Sequence, residues 1–363
     1  MSSPQKLPPF GLVKALNGFR NLVLKLHRSL FPGQVVLYEQ VQAFWLLQPL
    51  YIAAELNIAE FLKEKPLSAE ELAYKTGCRP EALYRILRAL ASEGIFKEKD
   101  GRCFMLNSRA RALLEGEGSL RNMIIHHLGK INWSAQGNLL HTVKTGENAF
   151  TYTYGSDIYP YLQENHDELL RFERSMSDLS AMAFDPVISR YDFSPFKTIA
   201  DIGGGEGLLL ARILEKNMFA EGLLFDLPEN SGKAAAFIAS SGLNRRMTFI
   251  PGSFLEPFNI PADLYIMKNV LHNWDDEQCC LILANLRKVM PKRSKLLILE
   301  MVVPGPDRSS YSKMIDIQML AAMPGGRERT KPEFHSLLKK SGLRLKRIIP
   351  TIAPLSILET VGE

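Results

Sequence analysis

The sequence lacks a long apolar run. None of its 363 residues lies in a stretch that approaches the ~20 consecutive apolar residues needed by a membrane-spanning helix. The first residues also lack the short apolar stretch and the small-residue cleavage site of a signal peptide. We therefore expect a protein that does not span a membrane.

Cysteine is scarce as well. The chain has four cysteines, which form neither C-x-x-C pairs nor the dense pattern of a small secreted scaffold. They are Cys78, Cys103, Cys279 and Cys280. This pattern argues against a zinc site and against structural disulfides, and we expect a cytoplasmic protein in a reducing compartment.

Acidic residues are absent from the first 38 positions, which carry much of the net charge of +5. Apolar residues recur there at helical spacing with basic residues opposite, which predicts a basic amphipathic helix over residues 10–31. The apolar residues are Leu12, Leu16, Phe19, Val23, Leu26 and Leu30, and the opposite face has Lys14, Asn17, Asn21, Lys25 and Arg28. The other basic residues of the first 38 positions are Lys6 and Arg20. One interpretation is an arm that packs on a partner subunit, which we favour because apolar stripes usually bury against protein. The other is peripheral contact with an anionic membrane surface that collects a lipophilic substrate.

The remaining chain has the composition of a folded protein, with 46% hydrophobic and 23% charged residues. A length of 363 residues exceeds the usual size of one hydrophobic core and predicts at least two domains. We divide the chain into a basic arm (1–35), a dimerisation domain (36–116), a helical connector that also walls a pocket (117–185) and an α/β domain (186–363). The helical pattern over residues 36–62 is strongly apolar, so we expect it to be buried.

Residues 68–106 have the pattern of a winged helix. Ser68 and Glu71 form a capping box for a helix that ends at Gly77, and a second helix begins at Pro80. Two short strands then flank the hairpin signal Asp100-Gly101. These strands are expected at 95–97 and 103–106.

A winged helix also fits a DNA-binding regulator. Arg79, Arg85 and Arg88 would approach the phosphates in that case, but Glu81 and Glu93 interrupt the surface and no basic patch emerges. We favour a dimerisation module and expect no nucleic-acid partner.

Apolar strand runs alternate with helical stretches after residue 191. Strands are expected at 197–202, 222–225, 247–250, 263–268 and 295–300, and the alternation predicts a doubly wound α/β domain with a mainly parallel sheet. Ligands of such sheets bind at the carboxyl ends of the strands. The chemistry is therefore expected at that edge.

A glycine-rich loop follows the first of these strands. Gly203, Gly205 and Gly207 give the pattern GxGxG, which differs from the GxGxxG of dinucleotide sites. Asp201 precedes the loop and could attract an ammonium group, so a cationic amino-acid ligand fits better than a pyrophosphate. Asp226 ends the next strand, where an acidic residue accepts hydrogen bonds from ribose hydroxyls. An ordinary tight turn and a helix cap are the structural alternatives.

His272 lies just after the strand at 263–268, at the same edge of the sheet. Histidine titrates near neutral pH and can take a proton from a hydroxyl group as its oxygen attacks. A lone histidine at a strand end is more often structural, so the assignment depends on its neighbours.

The order of motifs resembles the S-adenosylmethionine-dependent small-molecule O-methyltransferase family, of the plant caffeate and the bacterial hydroxyneurosporene and antibiotic type. From about residue 36 onward the matching motifs are ADIGGGEG, LLFDLP, GSF, MKNVLHNWDDEQC, LILE, DIQML and GGRERT. The resemblance implies a winged-helix domain that forms a homodimer and a class I methyltransferase domain with a Rossmann-like fold. It implies S-adenosyl-L-methionine as the cofactor, S-adenosyl-L-homocysteine as the product and a small-molecule hydroxyl acceptor.

The resemblance also assigns residues. The cofactor residues are Ser180, Asp201, Gly203, Gly205, Asp226, Leu227, Ser253, Phe254 and Lys268. The family usually has Asp at the position of Ser253, where it contacts the adenine amino group. A neutral serine should form a weaker hydrogen bond than a carboxylate, which puts cofactor affinity in question.

Glu300 and Glu328 correspond in the resemblance to the carboxylates that flank the catalytic histidine, His272. In isolation, Glu300 also fits a solvated strand end, and Glu328 fits an ion pair with Arg327 or Arg329. The residues expected to face the acceptor are Trp133, Phe172, Met176, Met319 and Met323. Met323 replaces a residue that is often Asn in the plant members, so we expect an apolar or aromatic acceptor.

This mechanism needs no metal, and none is expected. A second hypothesis keeps the cofactor but assigns other chemistry, such as hydroxylation or rearrangement. The intact set of His272, Glu300 and Glu328 favours methylation, while Ser253 keeps the alternative open.

Overall fold

The strand and helix alternation in the last half of the chain forms a seven-stranded sheet in the computed structural model, which describes residues 7–116 and 118–363. Lys6 of the basic arm and Glu117 at the start of the expected connector lie outside the described residues. The described chain forms two compact units. The larger contains residues 7–10, 135–161 and 183–363, and the smaller contains residues 11–134 and 162–182.

The helices are α1 (Phe10–Ser29), α2 (Gly33–Glu55), α3 (Ile58–Phe61), α4 (Ala69–Thr76), α5 (Pro80–Ser92), α6 (Arg121–Leu128), α7 (Lys130–Gly137), α8 (Leu139–Thr145), α9 (Ala149–Tyr154), α10 (Ile158–Glu164), α11 (His166–Ile188), α12 (Leu208–Lys216), α13 (Ser231–Ser241), α14 (Asp276–Val289), α15 (Tyr311–Ala322) and α16 (Lys331–Lys340). The strands are β1 (Leu67–Ser68), β2 (Lys97–Lys99), β3 (Cys103–Met105), β4 (Thr198–Ile202), β5 (Glu221–Asp226), β6 (Met247–Pro251), β7 (Leu264–Lys268), β8 (Lys295–Glu300), β9 (Val302–Val303), β10 (Arg329–Thr330), β11 (Leu343–Pro350) and β12 (Ser356–Gly362).

The main sheet of the larger unit has the strand order β11-β12-β8-β7-β4-β5-β6. Neighbouring strands from β8 to β6 are parallel, which confirms the predicted mainly parallel α/β fold. Two strands that the sequence did not reveal, β11 and β12, close one edge of the sheet in antiparallel orientation.

The sheet is buried on both faces because its strand residues alternate between two apolar cores. Ile199 and Ile266 belong to one core, while their neighbours Ala200 and Tyr265 belong to the other. β4 and β7 are adjacent, and from them the chain proceeds in opposite directions across the sheet, from β4 to β5 and from β7 to β8, so the strand order reverses at their carboxyl ends. That point is where parallel sheets of this type bind ligands.

The smaller unit contains the predicted winged-helix pattern. Ser68 and Glu71 form the expected capping box, and Gly77 ends α4 in the left-handed conformation. β1, β3 and β2 form the three-stranded wing. β2 begins at Lys97 rather than at residue 95, because Phe96 has a φ of 76° and interrupts the extended chain.

The expectation that residues 36–62 are buried is only partly correct. The side chains of Ala53, Ala54 and Ile58 lie in the core of the smaller unit, but Phe44 and Trp45 are 57% and 60% exposed in the single chain. Helix α2 has a nearly uniform apolar surface, so its sequence could not show which side would be covered.

The predicted amphipathic helix is α1, which has a basic last turn and exposed apolar side chains. Leu12, Leu16 and Phe19 are more than half exposed in the single chain. Among the described helices, none is long and apolar enough to cross a membrane.

Candidate active site

The predicted glycine loop connects β4 to α12. The φ angles of Gly203, Gly205 and Gly207 are 72°, 61° and 86°, in the left-handed region that residues with a Cβ rarely adopt. A Cβ at Gly203 would lie 3.0 Å from Cγ2 of Val270 and 3.3 Å from Cε1 of Phe254. Gly205 faces open space, so a ligand can approach the backbone there.

Asp201 lies one residue before the end of β4 and is 2% exposed. Its Oδ1 has no hydrogen-bond partner in the described part of the chain. Burial raises the pKa of Asp201 to about 7, although the charge of Lys268 opposes this increase. Burial also lowers the pKa of Lys268, against the effects of Asp201 and Glu300. A buried carboxylate oxygen without a donor can bind a cationic group such as an ammonium.

Asp226 is held beside the glycine loop at the end of β5. Its carboxylate accepts hydrogen bonds from the backbone N–H of Gly205, the backbone N–H of Leu227 and the side-chain amide of Asn230, each at 2.7 Å. A carboxylate has about four lone-pair sites. Asp226 can therefore accept a further hydrogen bond while its orientation stays fixed by the protein.

Ser253 and Phe254 lie just after β6. The Oγ of Ser253 accepts a hydrogen bond from the backbone N–H of Leu255 at 3.2 Å, so this side chain stabilises its own turn. The ring of Phe254 packs against Trp274 with centroids 6.0 Å apart and nearly perpendicular planes. Leu227, which follows β5, is about half exposed.

Two short strands bring the two predicted carboxylates together. β9 begins two residues after Glu300 and pairs in parallel with β10, in the register of Val302 with Arg329. Glu328 immediately precedes β10. Nδ1 of His272 lies 2.9 Å from Oε2 of Glu300 and 3.5 Å from Oε1 of Glu328. The structure thus brings the three predicted catalytic side chains together.

The pKa values of His272 and Glu328 are both raised in this cluster. Burial lowers the pKa of His272, but the carboxylates of Glu300 and Glu328 outweigh it and raise the pKa above its ordinary value. Burial and the charge of Glu300 raise the pKa of Glu328 to about 8, against the effect of His272. Both oxygens of Glu328 are buried without a hydrogen-bond partner among the described residues. The three side chains therefore titrate as a coupled cluster, and each bound proton belongs to the cluster as a whole.

A buried arginine that sequence reasoning did not select holds the backbone around His272. Arg329 is 1% exposed and donates hydrogen bonds to the carbonyl oxygens of Leu271 at 2.7 Å and Trp274 at 2.8 Å. Its guanidinium also binds Oδ1 of Asp276 through Nε at 3.0 Å and a terminal nitrogen at 2.8 Å. The planar donor fork explains why arginine suits this position.

The alternative in which Glu328 pairs with Arg327 or Arg329 is wrong. Arg327 forms its ion pair with Glu333, and its backbone N–H donates to the carbonyl of His272 at 2.8 Å. Arg329 pairs with Asp276.

Asp316 is a second residue that the sequence did not reveal. Its Oδ1 accepts the backbone N–H of Glu328 at 2.8 Å and fixes the start of β10 from α15. Asp316 begins the motif DIQML, but no local pattern indicates this contact, because it joins residues from a helix and a loop through tertiary structure.

The three predicted catalytic side chains also have the donor types of a metal site. His272, Glu300 and Glu328 each offer one ligand atom, and these atoms lie within 4.8 Å of one another. The imidazole and carboxylates already bind each other, which is the arrangement of an oriented base. The expectation of a metal-independent reaction stays a prediction.

The predicted acceptor residues fall in both units. In the larger unit, Met319 lies on α15 and Met323 follows its end, and both are buried. In the smaller unit, the ring of Trp133 lies 5.3 Å from that of Phe44. The remaining predicted residues of this unit are Phe172, Met176 and Ser180, which lie on α11. Their spacing of four residues places them along one side of that helix.

Comparisons with known proteins agree with this geometry. The O-methyltransferase domain family matches residues 136–344, and the O-methyltransferase dimerisation domain family matches residues 38–116. The chain is 37% identical to the phenazine O-methyltransferase PhzM of Lysobacter antibioticus over 329 residues, which cover 90% of this chain and 96% of that protein.

Solved structures show the same fold. The crystal structure of LaPhzM superposes with a TM-score of 0.86 at 36% identity and covers 92% of this chain and 100% of that one. CalO1, a methyltransferase of calicheamicin biosynthesis solved with S-adenosyl-L-homocysteine bound, has a TM-score of 0.81 at 30% identity, with 91% and 98% of the two chains covered. The chain therefore belongs to the S-adenosylmethionine-dependent small-molecule O-methyltransferase family.

Proposed function

We propose that the protein transfers the methyl group of S-adenosyl-L-methionine to a hydroxyl oxygen of an apolar or aromatic small molecule, with His272 as the general base. The contact of 2.9 Å between Nδ1 of His272 and Glu300 carries this proposal. A carboxylate partner keeps the proton on Nδ1, so Nε2 is the basic nitrogen of the neutral ring.

Nε2 of His272 then accepts the hydroxyl proton while the new O–C bond forms and the S–C bond breaks. S-adenosyl-L-methionine supplies the electrophilic methyl carbon and leaves as S-adenosyl-L-homocysteine. The imidazolium that results lies 2.9 Å from the carboxylate of Glu300, whose negative charge stabilises it. The chain's own contribution is the alignment of the acceptor and the removal of one proton.

The residues at the carboxyl ends of β4, β5 and β6 fit the cofactor. The unpartnered Oδ1 of Asp201 suits the ammonium group, and the remaining acceptor capacity of Asp226 suits the ribose hydroxyls. Gly205 offers an open backbone approach. The other proposed cofactor residues are Ser180, Gly203, Leu227, Ser253, Phe254 and Lys268.

The acceptor is proposed to contact Trp133, Phe172, Met176, Met319 and Met323. Apolar and aromatic side chains with few polar groups are typical of small-molecule pockets. Methionine is flexible and polarizable, so it adapts to an irregular ring system.

We further propose a homodimer formed through residues 36–116 and the basic arm. The exposed apolar side chains of α1 and α2 support a protein partner, since large exposed apolar surfaces usually mark interaction sites. Light scattering of the full chain should give twice the monomer mass of 40.9 kDa. Co-flotation with anionic liposomes would instead favour peripheral membrane contact.

Two further expectations stay predictions. They are the domain boundaries at 36, 117 and 186 and the absence of a nucleic-acid partner.

The test is transfer of labelled methyl from S-adenosyl-L-methionine to a mixture of hydroxylated aromatic metabolites, followed by mass spectrometry. We expect a product in which one labelled methyl group has replaced the hydroxyl hydrogen, with the label on oxygen. His272→Ala should reduce turnover about 10²- to 10⁴-fold while binding of S-adenosyl-L-homocysteine persists. His335→Ala, which removes an exposed histidine of α16, is the matched control and should retain activity.

Undiminished turnover by His272→Ala would remove this residue as the base. A product whose mass change corresponds to hydroxylation or rearrangement would favour the non-methylating hypothesis instead.

A further inference from the structure

His126 is a buried histidine in the smaller unit that the proposed mechanism does not use. It lies on α6 and is 4% exposed. Its ring packs edge-on against Phe172 with centroids 5.4 Å apart and an interplanar angle of 71°. Phe172 is one of the residues proposed to face the acceptor.

The hydrogen bonds of Asn132 determine where His126 carries its proton. Nδ2 of Asn132 donates to the backbone carbonyl of His126 at 2.9 Å, which fixes the orientation of the amide. The same Nδ2 lies 3.3 Å from Nε2 of His126. An amide nitrogen is only a donor, so Nε2 must be the acceptor and the ring proton must be on Nδ1.

No described residue accepts that proton. Nδ1 of His126 is buried without a hydrogen-bond partner among the described residues. The ring stays neutral at physiological pH, because burial and then the neighbouring His127 lower its pKa to about 3. A buried donor left without an acceptor is costly, and such groups are rare in native proteins unless a ligand or water completes them.

We propose that the Nδ1–H group of His126 donates a hydrogen bond to the methyl acceptor, and that this acceptor is a hydroxylated aromatic molecule with a ring nitrogen or carbonyl oxygen. This inference rests on the proposed function, because that function places the acceptor beside Phe172. One directed donor among apolar side chains orients a flat ring system that apolar contacts alone would let rotate.

A matched pair of probes tests this inference. 1-Hydroxyphenazine and 1-hydroxyanthracene have the same three-ring shape, but only the first has ring nitrogens. The dissociation constant of each is measured by calorimetry on enzyme saturated with S-adenosyl-L-homocysteine. We expect the wild-type protein to bind 1-hydroxyphenazine at least about tenfold more tightly, which is the size of effect expected from completing a buried donor.

Two variants separate the ring nitrogens of His126. The amide of His126→Asn lies at the distance of Nδ1 from the backbone, whereas the amide of His126→Gln lies at the distance of Nε2. The preference for 1-hydroxyphenazine should fall about tenfold in His126→Gln and persist in part in His126→Asn. His127→Gln is the control, since Nδ1 of His127 already bonds the carbonyl of Met123 at 3.0 Å. Its preference should match that of the wild type.

Equal binding of the two probes by the wild-type protein, or an unchanged preference in His126→Gln, would overturn the inference. So would failure of both probes to bind. Because binding is measured without turnover, failure of methyl transfer to a bound probe would count against the proposed function alone. NMR of nitrogen-labelled histidine in the wild-type protein provides a test that needs no variant to fold. The Nδ1–H proton should move further downfield with 1-hydroxyphenazine than with 1-hydroxyanthracene, because only the first accepts its hydrogen bond at a ring nitrogen.

Discussion

Glu300 holds His272 through both oxygens of its carboxylate. Oε2 lies 2.9 Å from Nδ1 of the imidazole, while Oε1 accepts the backbone N–H of Leu271 at 2.9 Å and that of His272 at 3.4 Å. One carboxylate therefore fixes the imidazole ring and the segment of backbone that carries it. The side chain of Glu300 is 1% exposed, so water does not compete for these contacts.

Replacing Glu300 by Gln should slow turnover and shift its pH dependence. In the wild-type protein the carboxylates raise the pKa of His272 above 6.5, so the neutral base forms only at higher pH. We expect kcat/KM to rise with pH through that raised pKa. In Glu300→Gln the rising limb should move to lower pH, and the maximal rate should fall about 10²- to 10⁴-fold because the ring loses its anionic partner.

The pH–rate profiles of wild-type protein, Glu300→Gln and the exposed control Glu277→Gln check this prediction. An unmoved rising limb in Glu300→Gln would contradict it.

Glu328 should make the folded protein less stable as pH rises. Its pKa is about 8 when folded and near 4.5 when unfolded, so between these values the folded state holds a proton that the unfolded state has lost. The free energy of unfolding contributed by this group therefore falls as pH increases through that window. Glu328→Gln cannot ionise at this position. The Tm of this variant minus that of the wild type should therefore be a few degrees larger at pH 8.5 than at pH 5.5. Thermal melts of both proteins at both pH values measure this Tm difference, and the same difference at the two pH values would refute the prediction.

Arg329 should be needed to hold the imidazole of His272, the proposed base, in position. Arg329→Lys keeps the charge but loses the donor fork that binds Leu271, Trp274 and Asp276. We expect a loss of about 2 kcal/mol in the free energy of unfolding. We also expect at least a tenfold lower kcat, because small displacements of a catalytic group are costly.

The control for Arg329 is Arg327→Lys, whose side chain is half exposed and pairs with Glu333. Denaturant unfolding and steady-state kinetics are compared for both variants. Equal effects of the two substitutions would show that Arg329 has no special positioning role.

Ser253 should limit cofactor affinity. Replacing it by Asp restores the residue usual in the family and offers a charged acceptor, which forms stronger hydrogen bonds than a hydroxyl. Ser253→Asp should bind S-adenosyl-L-homocysteine roughly tenfold more tightly by calorimetry. Ser240→Asp, an exposed position on α13, should leave affinity unchanged. Weaker binding by Ser253→Asp would indicate that the bond from Ser253 to the Leu255 backbone matters more.

Activity should survive a chelator. Although His272, Glu300 and Glu328 have ligand atoms within 4.8 Å of one another, the proposed mechanism uses the imidazole as a base and the carboxylates as its partners. We expect unchanged kcat after treatment with EDTA and removal of the chelator by gel filtration. Complete loss of activity that magnesium restores would overturn the metal-free mechanism.

Local signals in the sequence were sufficient for much of the fold. The capping box of Ser68 and Glu71, the left-handed glycines after β4 and the bounds of β8 depend on near neighbours in the chain. β11 escaped prediction because its alternation of apolar and charged residues is short and breaks at the irregularity between Leu345 and Arg347. β12 mixes polar and apolar residues without a clear period. Their strand conformation is stabilised by pairing with each other and with β8.

By itself the sequence determined that a histidine and a glycine loop would lie at the carboxyl edge of a parallel sheet, because strand order along the chain dictates that edge. Only the tertiary structure decided how the cluster is held. The pairing of Val302 with Arg329 brings Glu328 to His272, although the two residues are 56 positions apart in the sequence. The same strand places the guanidinium of Arg329 where it donates hydrogen bonds to the carbonyl oxygens of Leu271 and Trp274. Such contacts depend on the register between distant segments and on burial, which no local pattern of residues records.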